Sequence, residues 1–167
     1  MYKLSLVAAL TLALLPITLP AQQKPALGTL DAAVAQSHLA LAAILNGNPH
    51  LYEALFADRD DITLGNPFGP YAIGKVEVAK TLANAASKYH DGSVVAVDLV
   101  AKYQNDNLAC LVEVEHDLAK VGTSDTPARF DVRVTSLYER IQGEWRLVHR
   151  HADPITTARP AESVLQK

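Results

Sequence analysis

The spacing of apolar residues changes from helical to alternating near Asp91, and this change constrains the fold most. Before it, apolar residues recur every three or four positions in three segments, beginning near Leu30, near Pro49 and after Gly74, with a brief strand predicted at 62–64. After it, four segments alternate apolar and polar residues: 94–103, 108–118, 129–141 and 144–152. Helices followed by sequential strands predict an α+β domain, with the helices covering one face of an antiparallel meander.

Alternation also predicts which residues share each face of the sheet. A two-residue turn at Gln142-Gly143 pairs Tyr138 with Leu147, Ser136 with His149, and Val134 with His151. One face is then mostly apolar and packs on the helices: Leu108, Cys110, Val112, Val114, His116, Phe130, Val132, Val134, Ser136, Tyr138, Trp145, Leu147, His149 and His151. The other face is charged and expected to be solvated: Glu113, Glu115, Asp117, Asp131, Arg133, Thr135, Glu139, Arg146 and Arg150. A single bulge would exchange the two faces, and a concave charged face would favour an anionic ligand.

The first 21 residues have the pattern of a cleavable signal peptide. Lys3 precedes an apolar run at 4–15, and Ala21 ends a short cleavage region. The run is shorter than the roughly 20 residues that cross a bilayer, so we expect a secreted or periplasmic protein without a membrane anchor. A flexible lead (22–28), one domain (29–155) and a loose tail (156–167) are predicted to follow.

Composition narrows the possible partners. Cys110 is the only cysteine, so no intramolecular disulfide is possible. The formal net charge is −3 and the sequence has no basic stripe, which argues against nucleic acid as a partner. Three apolar residues on the charged face form a candidate homodimer patch: Leu111, Leu137 and Val148.

A group of polar residues at one end of the apolar face predicts a small-molecule pocket. The predicted ligand-binding residues are Trp145, Tyr138, Ser136, His149 and His151, with Asn66, Phe68 and Tyr71 at the mouth. The alternative interpretation is that these residues are core or touch solvent at strand ends. The candidate catalytic residues are His149 and His151, because histidine titrates near neutrality, with Asp153 or Glu115 orienting a ring.

The sequence resembles the nuclear transport factor 2-like superfamily, in its SnoaL-like and ketosteroid-isomerase-like branch. The resemblance is carried by Phe56-Ala57-Asp58, the turn Asn66-Pro67-Phe68-Gly69-Pro70, Gly74, and the run Gly143-Glu144-Trp145-Arg146-Leu147-Val148-His149-Arg150-His151. It implies a cone-shaped barrel, in which three N-terminal helices pack on a curved, mostly antiparallel sheet of four to six strands. It also implies a pocket inside the cone and commonly a homodimer.

The resemblance does not transfer the chemistry of ketosteroid isomerases. Their general-base aspartate precedes the turn proline, where this chain has Asn66, and their oxyanion tyrosine falls near Ala40. Their second acid would fall around 135–137, where no carboxylic acid is present. We therefore expect an exported protein that binds a small, largely apolar molecule without catalysis or cofactor. The alternative is a dehydratase, cyclase or isomerase that uses His149 and His151.

A metal site is a third possibility, because two histidines separated by one residue lie on the same side of a strand. Its ligands would be His149, His151, His116 and Asp153, and no cysteine reinforces them. The prediction adopted is that the protein binds no metal.

Overall fold

Three helices precede a long meander of strands, as the change in hydrophobic period predicts. The computed structural model describes residues 27–165; the predicted signal peptide (1–21) and most of the predicted lead (22–28) lie outside them. The elements are α1 (Leu30–Ile44), α2 (His50–Leu55), β1 (Thr63–Gly65), β2 (Ala72–Ile73), α3 (Lys75–Ala86), β3 (Tyr89–Gln104), β4 (Leu108–Val121), β5 (Ala128–Ile141) and β6 (Glu144–Asp153). A short 3₁₀ helix at Ala161–Val164 lies in the predicted tail.

Local signals account for the ends of the helices. The hydroxyl of Thr29 accepts a hydrogen bond from the Ala32 amide at 3.2 Å, which caps the N-terminus of α1. Gly47 follows the end of α1 with φ of 81°. Gly74, with φ of 84°, precedes α3; a side chain there would be strained and would lie 3.2 Å from the Asp60 carbonyl oxygen.

The strands form one curved sheet in the order β2-β1-β6-β5-β4-β3. The pairs are antiparallel except β1 with β6, which is parallel. The turn at Gln142-Gly143 has φ values of 52° and 86°, which confirms the predicted two-residue hairpin. The predictions missed β2, and β3 begins at Tyr89, before the predicted start at residue 94.

The predicted face of β4 is wrong. Its register with β5 places Glu113 opposite Val134, Glu115 opposite Val132 and Asp117 opposite Phe130. The acids of β4 therefore share the inner face, the side of the sheet that packs on the helices, while Cys110, Val112, Val114 and His116 lie on the outer face. Alternation fixes which residues of one strand share a face, but the connection at 122–127 leaves the pairing of two strands open.

A bulge in β6 overturns the predicted positions of the two histidines. Tyr138 pairs with Leu147 as predicted, but Leu137 then pairs with His149, so that Val148 is an extra residue. Beyond the bulge, Arg150 is opposite Ser136 on the inner face, and His149 and His151 turn to the outer face. The predicted pairs of Ser136 with His149 and Val134 with His151 are therefore wrong.

The core lies between the helices and the inner face. It includes Leu41 and Leu82 from the helices together with Leu111, Tyr138 and Leu147 from the sheet. Leu111 and Val148 are buried, so the patch predicted for a homodimer is not a continuous surface, and the homodimer stays a prediction. Within residues 27–165, no helix combines the length and the apolarity needed to cross a bilayer.

Candidate functional site

A small cavity of about 50 Å³ lies between the helices, the β1–β2 loop and the inner face of the sheet. Its apolar lining consists of Ile44, Leu45, Leu64, Pro67, Phe68, Leu82, Ala85, Phe130, Val132 and Ala152. Its polar lining consists of Tyr52, Asn66, Tyr89, Asp117 and Arg150. Such a volume holds a few water molecules and is well below the roughly 300 Å³ at which small-molecule pockets begin.

Three acids of β4 point inward in succession, and two of them have a basic partner. Glu113 lies 3.1 Å from Nε2 of His38 on α1. Both carboxylate oxygens of Glu115 accept hydrogen bonds from Nη2 of Arg150, at 2.8 and 2.7 Å. In the described part of the chain no base lies within ion-pairing distance of Asp117, and its buried Oδ1 has no hydrogen-bond partner. Asp117 is therefore the uncompensated acid of the row.

Burial changes the proton affinity of Asp117. Loss of solvent, followed by the negative charge of Glu115, raises the pKa of this carboxyl group from 3.8 to about 7. Arg150 and His116 oppose the increase but do not cancel it. Near neutral pH, this side chain can both accept and donate a proton.

Arg150 joins the acids to the helical side of the cavity. Its guanidinium lies over the ring of Tyr52, 5.3 Å from the centroid, while Nη2 binds Glu115. Burial opposes the positive charge, but the charge of Glu115 raises the pKa of Arg150 above its ordinary value. Nε of Arg150 is buried without a partner, so one N–H of this group remains available.

Four buried polar atoms without partners belong to residues that line this one cavity: Tyr52 Oη, Asn66 Nδ2, Asp117 Oδ1 and Arg150 Nε. The Tyr52 hydroxyl lies near Ser37, but the two side chains do not meet the distance and angle requirements of a hydrogen bond. The orientation of the Asn66 amide is fixed, because its Oδ1 accepts from the Phe68 amide at 2.9 Å and Nδ2 remains unpaired. Buried polar groups are rarely left unpaired, so these four atoms suit bound water or a polar guest.

The predicted ligand-binding residues are divided between the inside and the outside of the sheet. Asn66 and Phe68 line the cavity. Ser136 and Tyr138 are buried on the inner face outside its lining, and burial raises the pKa of Tyr138 to about 12. Trp145 is buried, with its backbone amide donating to the Leu27 carbonyl at 2.7 Å.

His149, His151 and Tyr71 meet on the outer side of the sheet. Nδ1 of His149 is 2.7 Å from the Thr63 hydroxyl. The Tyr71 ring lies 6.3 Å from the His149 ring and 5.3 Å from the His151 ring, between centroids. Burial, then the neighbouring His151, lowers the pKa of His149. The prediction that these histidines face the pocket is wrong, because the bulge reverses them.

The other groups considered for catalysis or metal binding are separated. Asp153 forms hydrogen bonds with Nε of Arg133 at 2.8 Å. His116 is two strands away from His149, with Asp131 at 2.7 Å from Nδ1 and Asp98 at 3.2 Å from Nε2. Residues 27–165 contain no group of three or more side chains of the kind that holds a metal ion.

Sequence reasoning missed Asp117, Arg150 and Tyr52. The signal for the first was present, since Glu113-x-Glu115-x-Asp117 places three acids on one side of a strand. Three acids in a row are ordinarily solvated, and only the register shows that they point inward. For Arg150, no local signal marks the bulge that turns it toward the helices.

The fold and the cavity define a class of protein, in which helices and a curved sheet enclose a pocket. The sequence profile described as "SnoaL-like domain" matches residues 33–156. The chain belongs to the SnoaL-like domain family. No curated protein matches the chain in sequence.

Solved structures agree with this fold at low sequence identity. A ketosteroid isomerase-like protein from Erwinia carotovora atroseptica SCRI1043 superposes with a TM-score of 0.65 at 17% identity, covering 78% of this chain and 97% of the other. A nuclear transport factor 2 (NTF2-like) superfamily protein from Salmonella enterica serovar Typhimurium LT2 gives 0.64 at 16% identity, covering 78% and 91%. A candidate dehydratase of the NTF2-like family from Streptomyces avermitilis gives 0.59 at 20% identity, covering 77% and 100%. These identities establish the fold alone.

Proposed function

We propose that this chain is an enzyme of the isomerase or dehydratase type, with Asp117 as the group that moves the proton. The observation that carries the proposal is the row of three inward acids. Glu113 and Glu115 have basic partners, whereas Asp117 has a buried, unpaired oxygen at the wall of the cavity. Its pKa of about 7 suits a side chain that takes a proton and returns it at neutral pH.

The other unpaired atoms supply hydrogen bonds for such a reaction. Tyr52 Oη, Asn66 Nδ2 and Arg150 Nε are donors that lack acceptors in the cavity. Removing a proton beside a carbonyl group places negative charge on the carbonyl oxygen, and donors held in a dry site stabilise that charge. A guest with a carbonyl oxygen and an acidic C–H group would satisfy both kinds of group. Isomerases and dehydratases act on such compounds, and both words occur among the names of the similar structures.

Binding without catalysis is the second candidate function. The apolar side chains around the cavity favour it, because they suit a largely apolar guest whatever the polar groups do. The two functions differ in what Asp117 is required for: turnover in one, and a single hydrogen bond in the other.

Proton exchange in D₂O tests the proposal without knowledge of the natural substrate. A panel of small neutral ketones and β-hydroxy ketones is incubated with the protein, and deuterium incorporation beside the carbonyl group is followed by proton NMR. We expect exchange by the wild type, with a rate that rises through a pH near 7. Asp117→Asn should lower it about 10²- to 10⁴-fold, the range for loss of a general base.

Asp125→Asn is the matched control, because Asp125 is exposed in the connection between β4 and β5, outside the lining of the cavity. It should exchange at the wild-type rate. Equal exchange by Asp117→Asn and wild type would refute the catalytic role. If the ketones shift resonances of the protein but incorporate no deuterium, the result would support binding without catalysis.

Export also remains a proposal, supported by residues 1–21. A fusion of these residues to alkaline phosphatase should be active only when its reporter leaves the cytoplasm. A fusion in which three leucines of the 4–15 run are replaced by arginine is the control. Equal activity of the two fusions would contradict export.

A further inference from the structure

The β1–β2 loop, residues 66–71, lies between the inner cavity and the outer surface of the protein. Asn66 and Phe68, in the β1–β2 loop, line the inner cavity of about 50 Å³. The same two residues line an outer depression of about 440 Å³ between the loop and α3. If the loop swings outward, the two spaces join. A cavity of about 50 Å³ is too small for any but the smallest guests, so a larger guest requires such a movement.

Aromatic contacts hold this loop in place, together with the Lys88 ammonium group, which lies 5.7 Å from the centroid of the Phe68 ring. The Phe68 amide donates a hydrogen bond to Oδ1 of Asn66, so this bond stays within the loop and does not tie it to the rest of the protein. Inside, the Phe68 ring packs on Tyr89 at 5.5 Å between centroids. Outside, the Tyr71 ring packs on His149 and His151. Aromatic contacts of this kind are worth little individually, so they can open and close during function.

The position of Tyr71 is fixed from below by Gly65. A Cβ at Gly65 would lie 2.7 Å from Cε1 of Tyr71 and 2.9 Å from Cδ2 of His151, so the two rings close over this glycine. His149 is oriented in turn by its contact with the Thr63 hydroxyl at 2.7 Å. The two histidines that the sequence singles out therefore form an outer platform for Tyr71.

We propose that residues 66–71 are a lid over the cavity and that Tyr71, seated on His149 and His151, is the clamp that keeps it shut. These three are positioning residues, because they act on the site through the loop. The proposal deepens the proposed function, since it treats the cavity as the site that a small molecule enters. Its test requires no substrate, so it can fail while the role of Asp117 stands.

Chemical labelling of a thiol inside the cavity measures the opening of the lid. Val132 lines the cavity and is 6% exposed, and cysteine is smaller than valine, so it fits this position without a clash. The parent protein for the test is Cys110→Ser/Val132→Cys, which carries no other thiol. The probe is methyl methanethiosulfonate, a small neutral thiol reagent, and modification is followed by mass spectrometry.

We expect the parent to react at least 100-fold more slowly than the urea-unfolded chain. Tyr71→Ala in the same background should react about tenfold faster than the parent, the factor that corresponds to two lost ring contacts. Tyr71→Phe keeps the ring and should restore the parent rate. Tyr103→Ala, at a tyrosine that is 66% exposed on β3, is the matched control and should change nothing.

Low concentrations of urea distinguish lid opening from unfolding. Opening of the loop exposes little surface, so its labelling rate should stay constant from 0 to 1 M urea, whereas labelling through unfolding increases. Equal rates for Tyr71→Ala and the parent would overturn the clamp. A parent that reacts as fast as the unfolded chain, or an increase in Tyr71→Ala that follows urea, would overturn the lid.

Discussion

Replacing Asp117 with asparagine should remove a large part of the pH dependence of stability. The carboxyl group has a pKa of about 7 in the folded protein and 3.8 as its ordinary value. Because the folded pKa is the higher one, the unfolded chain loses this proton first as the pH rises. Stability therefore falls between about pH 4 and pH 7 and is constant above that range.

The magnitude follows from the difference between the two pKa values. Each pKa unit corresponds to about 1.4 kcal/mol, so the full cost of ionising Asp117 in the fold is about 4 kcal/mol. Between pH 5 and pH 8 this group should lower the free energy of unfolding of the wild type by about 2 to 3 kcal/mol. Asparagine does not ionise, so the stability of the variant relative to the wild type should rise by that amount over this interval.

Urea unfolding at pH 5, 6, 7 and 8 measures this difference. Asp117→Leu is a second variant that does not ionise; it should show the same change with pH, although its stability at any one pH will differ. Carbon-13 NMR of the Asp117 carboxyl group gives the pKa directly. A constant difference between wild type and both variants from pH 5 to pH 8 would refute the raised pKa, and with it the proposed proton transfer.

Three further changes test the packing and the charges. Gly92→Ala places a Cβ 2.6 Å from the Leu45 backbone oxygen and should lower the free energy of unfolding, measured in urea, by about 2 kcal/mol or more. Gly69→Ala is the control; no atom lies within 4 Å of its Cβ, so the free energy of unfolding should change little. Arg150→Met leaves Glu115 buried without its partner and should cost about 3 to 5 kcal/mol; adding Glu115→Gln should recover part of that loss, and no recovery would contradict the pairing. NMR titration should place the pKa of His38 above 6.5, because the imidazole forms a hydrogen bond with the buried carboxylate of Glu113. The charged His38 should therefore stabilise the fold fully below pH 6.5, and this contribution should be lost as the pH rises through the pKa of the folded protein.

Most of the secondary structure could be predicted because its signals are local. The start of the third helix after Gly74 and the hairpin at Gln142-Gly143 depend on a few neighbouring residues, and the structure places both as expected. The short strand β2 was missed, because two residues carry no periodicity.

The candidate site could be predicted only in part. Asn66 and Phe68 were identified through the turn that contains them, and they line the cavity. Asp117 and Arg150 were assigned to the solvated face, and both are buried in the structure. Their side chains are inside because the register between β4 and β5 and the bulge at Val148 place them there.

The sequence by itself determined the order of helices and strands, the turns, and, in strands without a bulge, the residues that share a face, because these depend on contacts between near neighbours in the chain. Only the tertiary structure decided which faces of neighbouring strands coincide. That choice depends on hydrogen bonds between segments far apart in sequence, and a shift by one residue exchanges inside and outside. For this protein, the register of β4 with β5 places three acids in the interior. The bulge in β6 turns the paired histidines to the outer face and Arg150 to the inner face.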